Sequence, residues 1–277
     1  MGNHMKIIRV FPRKTKATPD DEGVRINCGP ELWDEADEVH ISVTFTWDLP
    51  RLEWLFQQWM HVAPIKIGGP ATGEKSGDFI PGMYLKKGYV ITSRGCPNHC
   101  WFCTVPHREG DIRELPITSG WNILDDNLLA CSDEHIRAVF AMLKKQPTRA
   151  QFTGGLEAKI LKDWHIDLMA DLKPKRIFFA YDTKDDYEPL VIAAKKVFKS
   201  AFLSERSNSV RAFVLIGYKG DTFEAAERRL RAVLKMGMFP MAMLWRGNDG
   251  HRDPAWIKFA WPWSRPASIN ALKRRAA

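Results

Sequence analysis

Residues 88–103 read Gly88-Tyr89-Val90-Ile91-Thr92-Ser93-Arg94-Gly95-Cys96-Pro97-Asn98-His99-Cys100-Trp101-Phe102-Cys103. The first part of this stretch, 88–93, is apolar and rich in β-branched residues, which predicts a β-strand. The second part holds three of the five cysteines of the chain in a C-x3-C-x2-C spacing. In parallel α/β sheets, sites form beyond the carboxyl ends of the strands. The stretch therefore predicts a strand that presents a cysteine loop at the functional edge of a sheet.

The alternation of strands and helices that begins here continues to residue 245. Strands are predicted at 121–125, 149–153, 176–181, 210–216 and 239–245, and helices after Ser132, at 164–172, at 190–198 and after Thr222. Ser132 and Thr222 are favourable N-cap residues, and Gly237 suits the position just past the last of these helices. The alternation indicates βαβ units and a parallel sheet. Six units are too few for a complete eight-stranded barrel, so the predicted fold is α/β, a partial (β/α)6 TIM-type barrel at 86–246.

Residues 5–85 are predicted to form a small N-terminal α/β layer. Strands are expected at 6–11, 38–45 and 63–70, and a helix at 49–59 because its apolar residues recur at helical spacing. The segment 12–30 is charged and irregular, and we expect a loop there.

Residues 247–277 form an aromatic and basic C-terminal extension. Pro254, Pro262 and Pro266 favour an extended segment, which we expect to dock on the N-terminal layer. The alternative is that its tryptophans stack on a nucleobase or cover the mouth of the barrel.

Composition narrows the class of protein. The net charge of +8 favours anionic partners such as nucleic acid or phosphorylated metabolites, although a merely basic surface explains it equally well. An odd number of cysteines, three of them in one loop, argues for a reducing cytoplasm. No run approaches the ~18 apolar residues that a membrane span needs, and no signal peptide is recognisable. Residues 1–4 resemble a leader before a start at Met5.

The cysteine spacing allows two kinds of metal centre. Three thiolates can hold three irons of a [4Fe–4S] cluster and leave the fourth iron open, and soft thiolates also suit zinc. A structural zinc needs a fourth ligand, which His99 or His107 could supply. Zinc fingers and ribbons usually pair two C-x2-C halves, and this sequence has one.

Cys96, Cys100 and Cys103, with Phe102 before the last cysteine, resemble the C-x3-C-x-Φ-C signature of the radical S-adenosylmethionine (SAM) superfamily. The resemblance covers 86–246, and within the superfamily the chain is most similar to the branch with a cobalamin-domain-like N-terminal segment and to uncharacterised bacterial and phage members. The turn Gly68-Gly69-Pro70 resembles that segment, but the D-x-H-x-x-G cobalamin motif is absent, so cobalamin binding is not expected. Cys28 and Cys131 are expected to be buried thiols, not ligands of a second cluster.

The resemblance implies a reaction. A [4Fe–4S] cluster on the three cysteines binds the methionyl group of SAM, and one electron from a donor such as flavodoxin or ferredoxin cleaves the carbon–sulfur bond. The 5′-deoxyadenosyl radical so formed abstracts hydrogen from a substrate that the sequence does not identify: either a nucleobase or nucleotide, or a small metabolite or peptide. The alternative function is a non-catalytic Fe–S or zinc-binding protein that binds nucleic acid through its basic surface.

The resemblance also implies roles for residues at the strand ends. Phe102 would pack near the adenine, and the methionyl amine would be contacted from the segment after the second strand, whose alternative role is a helix cap and loop. Glycines and a carboxylate after the third strand would let the ligand approach, or else form an ordinary turn. Asp182 would lie near the ribose or carboxylate or cap a helix, and the backbone at Gly217 would approach adenine or simply end a strand. The segment after the second strand is Asp125, Asp126 and Asn127, and the residues after the third strand are Gly154, Gly155 and Glu157.

Overall fold

The computed structural model describes residues 5–205, 207–247 and 249–276. Its first part is a four-stranded parallel sheet in the order β2-β1-β3-β4. The strands are β1 (Ile7–Phe11), β2 (Val24–Ile26), β3 (Glu38–Ser42) and β4 (Ile65–Gly68), and helix α1 (Leu52–Trp59) follows a 3₁₀ turn at Thr46–Arg51. One face of β1 and β3 packs on Leu55 and Trp59 of α1 to form a core of its own. The predicted strands and helix of this layer are confirmed.

The prediction of a loop at 12–30 is wrong for β2. This short edge strand pairs in parallel with β1, Arg9 facing Val24. It has three residues, Val24, Arg25 and Ile26, and a strand is recognised in a sequence by alternation over at least four.

A six-stranded parallel sheet forms the larger part of the molecule, with its strands in chain order. The elements are, in sequence, β5 (Tyr89–Val90), β6 (Ser93–Arg94), α2 (Val105–Glu109), β7 (Arg113–Glu114), β8 (Asn122–Ile123), α3 (Asp133–Lys144), β9 (Gln151–Phe152), α4 (Asp163–Leu172), β10 (Arg176–Tyr181), α5 (Tyr187–Lys199), β11 (Val210–Ile216), α6 (Phe223–Lys235), β12 (Phe239–Leu244), α7 (Pro254–Trp263) and α8 (Pro266–Ala276). The sheet order is β5-β8-β9-β10-β11-β12, while β6 and β7 form an antiparallel ribbon beside the cysteine loop. An α/β fold with parallel sheets is confirmed.

Local signals place the helices as expected. The Ser132 hydroxyl accepts a hydrogen bond from the His135 amide, and the Thr222 hydroxyl accepts one from the Ala225 amide, each at 3.2 Å. Gly237 comes directly after Met236, the C-cap residue of α6, and has a φ of +81°. The one helix described between the first two strands of the larger sheet is the very short α2, and the segment 106–116 around it is polar and bounded by prolines.

The alternation of side chains along β10 and β11 decides which residues reach the site. Ile177 and Phe179 lie in the core shared with the helices. Because successive side chains of a strand point to opposite faces, Phe178 points the other way, where its ring stacks on Phe213 at 4.8 Å. Asp182 is the first residue after β10, and the same alternation places its side chain on the face of Phe178.

The C-terminal extension is helical, which corrects the prediction of an extended segment. Pro254 and Pro266 begin α7 and α8, where the missing proline N–H costs nothing because first-turn amides have no partner within the helix. The helices pack beside β12 and α6: the ring centroids of Trp256 and Phe223 lie 4.5 Å apart, and Trp263 is buried in the larger core. The expected docking on the N-terminal layer is seen at the turn before α7, where Gly250 packs against Trp47. Among the described residues, no helix is both long and apolar enough to cross a membrane.

Candidate functional site

The three clustered cysteines line one cavity of about 960 Å³ at the carboxyl ends of the larger sheet. Each is half-buried. The cavity also gathers every other predicted site residue except Gly217: Phe102, Asp125, Asp126, Asn127, Gly154, Gly155, Glu157 and Asp182. Residues that are far apart in the sequence therefore meet around the cysteine loop.

Gly95 allows the cysteine loop to turn away from β6. Its φ is +87°, and a Cβ there would lie 2.1 Å from the carbonyl oxygen of Asp111, so only glycine fits. The Cys96 amide then donates to the Gly110 carbonyl at 3.1 Å, and the Cys103 amide donates to the Cys100 carbonyl at 3.0 Å. The loop is thus held by its own backbone and by the segment before β7.

Asp125 supports the strand that leads into the loop. Its carboxylate accepts hydrogen bonds from the Thr92 amide at 2.6 Å, the Thr92 hydroxyl at 2.5 Å and the Ser93 hydroxyl at 3.0 Å. The side chain is 1% exposed. Burial raises the pKa of Asp125, while these hydrogen bonds lower it. These three bonds use most of the acceptor positions of the carboxylate, so Asp125 positions the strand that leads into the loop.

Asp126 holds the first residues of the loop in the same way. One oxygen accepts from the Gly95 amide at 3.0 Å and the other faces the Arg94 guanidinium at 3.3 Å. Burial raises the pKa of this carboxyl group, and the charge of Arg94 opposes the rise. The sequence-based alternative of a helix cap is not observed for either aspartate.

Asn127 joins the loop to the end of β9. Its amide nitrogen lies 3.4 Å from Cys96 Sγ and donates to Glu157 Oε2 at 2.6 Å. Its carbonyl oxygen, Oδ1, is buried and has no hydrogen-bond partner among the described residues. Buried polar atoms are rarely left unpaired, so Oδ1 is an acceptor that a ligand can use.

The two glycines after β9 have different reasons to be glycine. A Cβ on Gly154 would lie 2.3 Å from the backbone oxygen of Asp125, so this residue lets β8 and β9 end close together. Gly155 has φ +108° and open space where its Cβ would be. Only Gly155 fits the expectation of backbone that a ligand can approach.

Asp182 is a buried carboxyl group of the cavity whose pKa is raised. Burial raises its pKa to about 7, and the charge of Asp186 adds to the rise. It does not cap a helix, because Thr183 and Asp186 form the capping box of the turn that follows. Asp186 is instead neutralised by Lys159 at 2.9 Å, which leaves Asp182 as a poorly compensated carboxyl group.

We expect Asp182→Asn to stabilise the metal-free protein at alkaline pH. A folded-state pKa of about 7 against an ordinary 3.8 means that the folded state binds more protons, so stability falls as pH rises from about 4 to about 7. The variant lacks this loss, and its advantage in unfolding free energy should grow by about 2 to 3 kcal/mol between about pH 5 and about pH 8. Urea unfolding at both pH values measures it. A pH-independent difference would contradict the assignment.

Gly217 lies outside the cavity. A Cβ at this position would stand 2.5 Å from a methyl carbon of Leu244 and 3.0 Å from the Trp256 ring. Its amide donates to Asp221 Oδ2 at 2.9 Å. Gly217 therefore serves the packing of α7, and the expected approach of its backbone to adenine has no counterpart in this arrangement.

Phe102 lines the cavity, and the Trp101 ring meets it edge-on at 5.4 Å. Trp101 itself is 62% exposed and also contacts Tyr218, again edge-on at 5.4 Å. The aromatic residue before the last cysteine therefore faces the ligand space, as the resemblance implies.

Sequence reasoning missed the wall opposite the loop and the hydroxyls that hold Asp125. Phe213, Leu215 and Met243 form an apolar side of the cavity. Their alternate spacing along β11 and β12 is a period-2 signal that could have identified them. Thr92 and Ser93 gave no such signal, because hydroxyl residues are common in strands of every kind.

The other two cysteines lie away from the loop. Cys131 is buried, and burial raises its pKa to about 12, so it is an inert thiol as predicted. Cys28 is half-buried, not fully buried. Its backbone carbonyl accepts from the Trp59 indole at 2.9 Å, in the N-terminal layer.

Two thiols of the triplet, those of Cys100 and Cys103, have pKa values raised above the ordinary value for cysteine. Burial raises the pKa of Cys100 and of Cys103, and neighbouring thiols of the triplet raise both further. Metal ligands must be thiolates, so loading the site would release protons. Within the described part of the chain, no three His, Cys, Asp or Glu side chains are arranged to hold a metal ion. This result concerns ligands gathered around one ion, whereas a [4Fe–4S] cluster binds each cysteine at a different iron.

Comparisons with known proteins do not add a relative to this picture. No family model matches the chain, and a search of curated proteins finds no match.

Proposed function

We propose that this chain is a radical SAM enzyme whose single [4Fe–4S] cluster is held by Cys96, Cys100 and Cys103. The observation that carries the proposal is the meeting of these three thiols on one cavity at the carboxyl edge of a parallel sheet whose six strands follow chain order. The C-x3-C-x-Φ-C spacing leaves one iron without a protein ligand, which suits binding of a small molecule. The sheet order also supports the finer proposal that the sheet is a partial (β/α)6 TIM-type barrel.

The residues present fit the proposed group in their donor chemistry. Thiolates are the usual ligands of iron–sulfur clusters, and Asn127 places an amide donor beside Cys96 Sγ. Hydrogen bonds to the sulfurs and the surrounding protein tune such a centre. Asp125 and Asp126 fix the loop that carries the thiols, so the cysteines are supported before a metal arrives.

Several other residues suit the binding of SAM. The unpaired Oδ1 of Asn127 and the carboxylate of Glu157 can accept hydrogen bonds from the methionyl amine. Gly155 leaves the backbone open to a ligand, and Phe102 offers an apolar surface for the adenine. Asp182, whose pKa is about 7, can accept from a ribose hydroxyl or bear a proton near neutral pH.

When bound, the cluster would supply the electron that cleaves the carbon–sulfur bond of SAM and so generates a 5′-deoxyadenosyl radical. The protein contributes placement and shielding. Phe213, Leu215 and Met243 present only apolar atoms from their side chains on the far wall, which limits water and the side reactions of a radical.

Anaerobic reconstitution with iron and sulfide tests the proposal. The expected protein is brown with about four irons per chain, and addition of dithionite and SAM yields 5′-deoxyadenosine. A colourless protein that binds about one zinc and forms no 5′-deoxyadenosine would instead support the alternative of a structural zinc site. The chromatographic detection of 5′-deoxyadenosine decides between them without knowledge of the substrate.

A further inference from the structure

The two parallel sheets are joined at their carboxyl edges by a row of stacked side chains. The Arg246 guanidinium, just after β12, lies 4.4 Å from the centroid of a Trp47 ring, and Trp47 stacks on Phe45 at 4.7 Å with an angle of 9° between the rings. The Arg13 guanidinium lies 6.0 Å from the Phe45 ring. We call Arg13, Phe45, Trp47 and Arg246 the rim stack.

The rim stack lies at the border of the cavity. Met243, three residues before Arg246, is part of the cavity wall. At the rise of a strand, ~3.3 Å per residue, Arg246 is at most about 10 Å further along the chain. On the other side, the Arg108 guanidinium of α2 donates to the Pro70 carbonyl at 3.4 Å. The N-terminal layer thus contacts the segments that flank both outer strands of the larger sheet.

Two arginines at this border, Arg246 and Arg252, have no ion-pair partner among the described residues. Arg13 forms a two-pronged pair with Asp48, at 2.8 and 2.5 Å, which uses that carboxylate. Arg246 and Arg252 form no hydrogen bond or ion pair with any residue that the structure describes. Burial lowers the pKa of Arg246, the charges of Arg252 and Arg13 lower it further, and the charge of Asp48 opposes the change. Cations from separate parts of the chain therefore crowd together with unused donors.

We propose that Arg246 and Arg252 bind a phosphate group of the substrate at the border of the cavity. A guanidinium offers a planar fork of donors that matches phosphate oxygens. Stacking on Trp47 holds the plane of Arg246 in place, so less side-chain freedom is lost on binding. The substrate of the proposed enzyme is then a phosphate-bearing molecule, either a free nucleotide or a residue of a polynucleotide, whose remaining part extends into the cavity. This assignment to a substrate rests on the proposed function, whereas the phosphate site itself does not.

A second basic surface supplies a matched control. A groove of about 890 Å³ between α5 and α6 carries five cations but lies on the helices that cover the sheet. Its basic residues are Lys195, Lys199, Arg228, Arg231 and Lys235, and its one acidic residue is Glu205. If phosphate binding depends on net charge alone, this groove should serve as well as the rim.

Fluorescence anisotropy with a labelled single-stranded oligonucleotide of ~20 nucleotides tests the proposal on the full chain, without metal or SAM. We expect R246Q/R252Q to weaken binding about tenfold and to reduce the slope of log Kd against log salt by about two. The control K195Q/K235Q should change Kd by less than about twofold. Because Arg252 is exposed and forms no hydrogen bond or ion pair with a described residue, R252Q alone should show about half of the slope change with little effect on folding.

Competition identifies the source of the phosphate. Displacement by a mononucleotide such as AMP indicates a free nucleotide, and displacement by unlabelled oligonucleotide alone indicates a polynucleotide. Equal displacement by polyglutamate, an acidic protein surrogate, would overturn the proposal, as would binding that K195Q/K235Q weakens and R246Q/R252Q does not. No measurable binding of oligonucleotide or AMP would overturn it too. None of these readouts requires SAM cleavage, so they remain interpretable if the radical SAM proposal fails.

Discussion

Replacing any one of Cys96, Cys100 and Cys103 with alanine is expected to abolish the formation of 5′-deoxyadenosine. Loss of a residue that merely supports a metal ligand typically costs about 10- to 100-fold, so loss of a ligand itself should cost more than about 100-fold. Each thiol lines the cavity, and the loop between them offers no other sulfur. The measurements are the yield of 5′-deoxyadenosine with dithionite and SAM, and the iron content after reconstitution, which should fall well below about four per chain.

Cys28→Ala is the matched control for the loss of a thiol. Cys28 lies in the N-terminal layer, and its only described hydrogen bond to a side chain, that from Trp59, uses the backbone carbonyl. Iron content and cleavage should therefore stay within about twofold of the unmodified protein, because the half-buried Cys28 lies away from the cavity that the triplet lines. If Cys100→Ala kept its iron and its cleavage activity while remaining folded, the assignment of the triplet would be wrong.

Asp125→Ala is expected to lower the free energy of unfolding by about 3 to 5 kcal/mol. The change removes one carboxylate and leaves the Thr92 amide and the Thr92 and Ser93 hydroxyls without acceptors in the interior. Each buried polar group left unpaired costs about 1 to 3 kcal/mol. Urea denaturation of the metal-free protein, followed by tryptophan fluorescence, measures the loss. The strand before the cysteine loop should loosen as well, so reconstitution should yield less iron.

Asp125→Asn separates the hydrogen bonds from the charge. An asparagine oxygen can still accept from the Thr92 amide, and its NH₂ group can donate to the hydroxyls, which are free to rotate. Because burial raises the pKa of Asp125, ionisation of the carboxyl group is itself unfavourable there, and the neutral amide should cost less than about 1.5 kcal/mol. Equal losses for the alanine and asparagine variants would show that the hydrogen bonds do not support the loop.

Much of the larger sheet was predictable because its signals are local. The runs at 176–181 and 210–216 coincide with β10 and β11, since long apolar strands bounded by loops have a clear pattern. The caps at Ser132 and Thr222 form as predicted, because they depend on atoms only three residues away. The C-terminal helices were missed because a proline reads as a helix breaker unless it is known to stand at the first turn.

The roles of the individual site residues, in contrast, could not be predicted from the sequence. The sequence places Asp125, Asp126 and Asn127 together after a strand, and their chemistry alone makes them equivalent candidates. In the structure, Asp125 turns inward to Thr92, Asp126 holds Gly95, and only Asn127 keeps an unused acceptor in the interior. Likewise Gly217 is adjacent to a strand end, as a ligand-binding glycine would be, yet Trp256 covers it. The rim stack could not be predicted either, because Trp47 and Arg246 come from different sheets.

The sequence by itself determined the cysteine spacing, the order of the long strands and helices of the larger sheet and the excess of positive charge, because these depend on residue types and short-range periodicity. Only the tertiary structure decided which polar side chains hold the cysteine loop and which face the cavity. Burial and hydrogen-bond partners make that difference, and the partners lie some thirty residues apart in the chain, as for Thr92 with Asp125 and Asn127 with Glu157. Contacts at such separation form only when parallel strands bring their carboxyl ends to one edge.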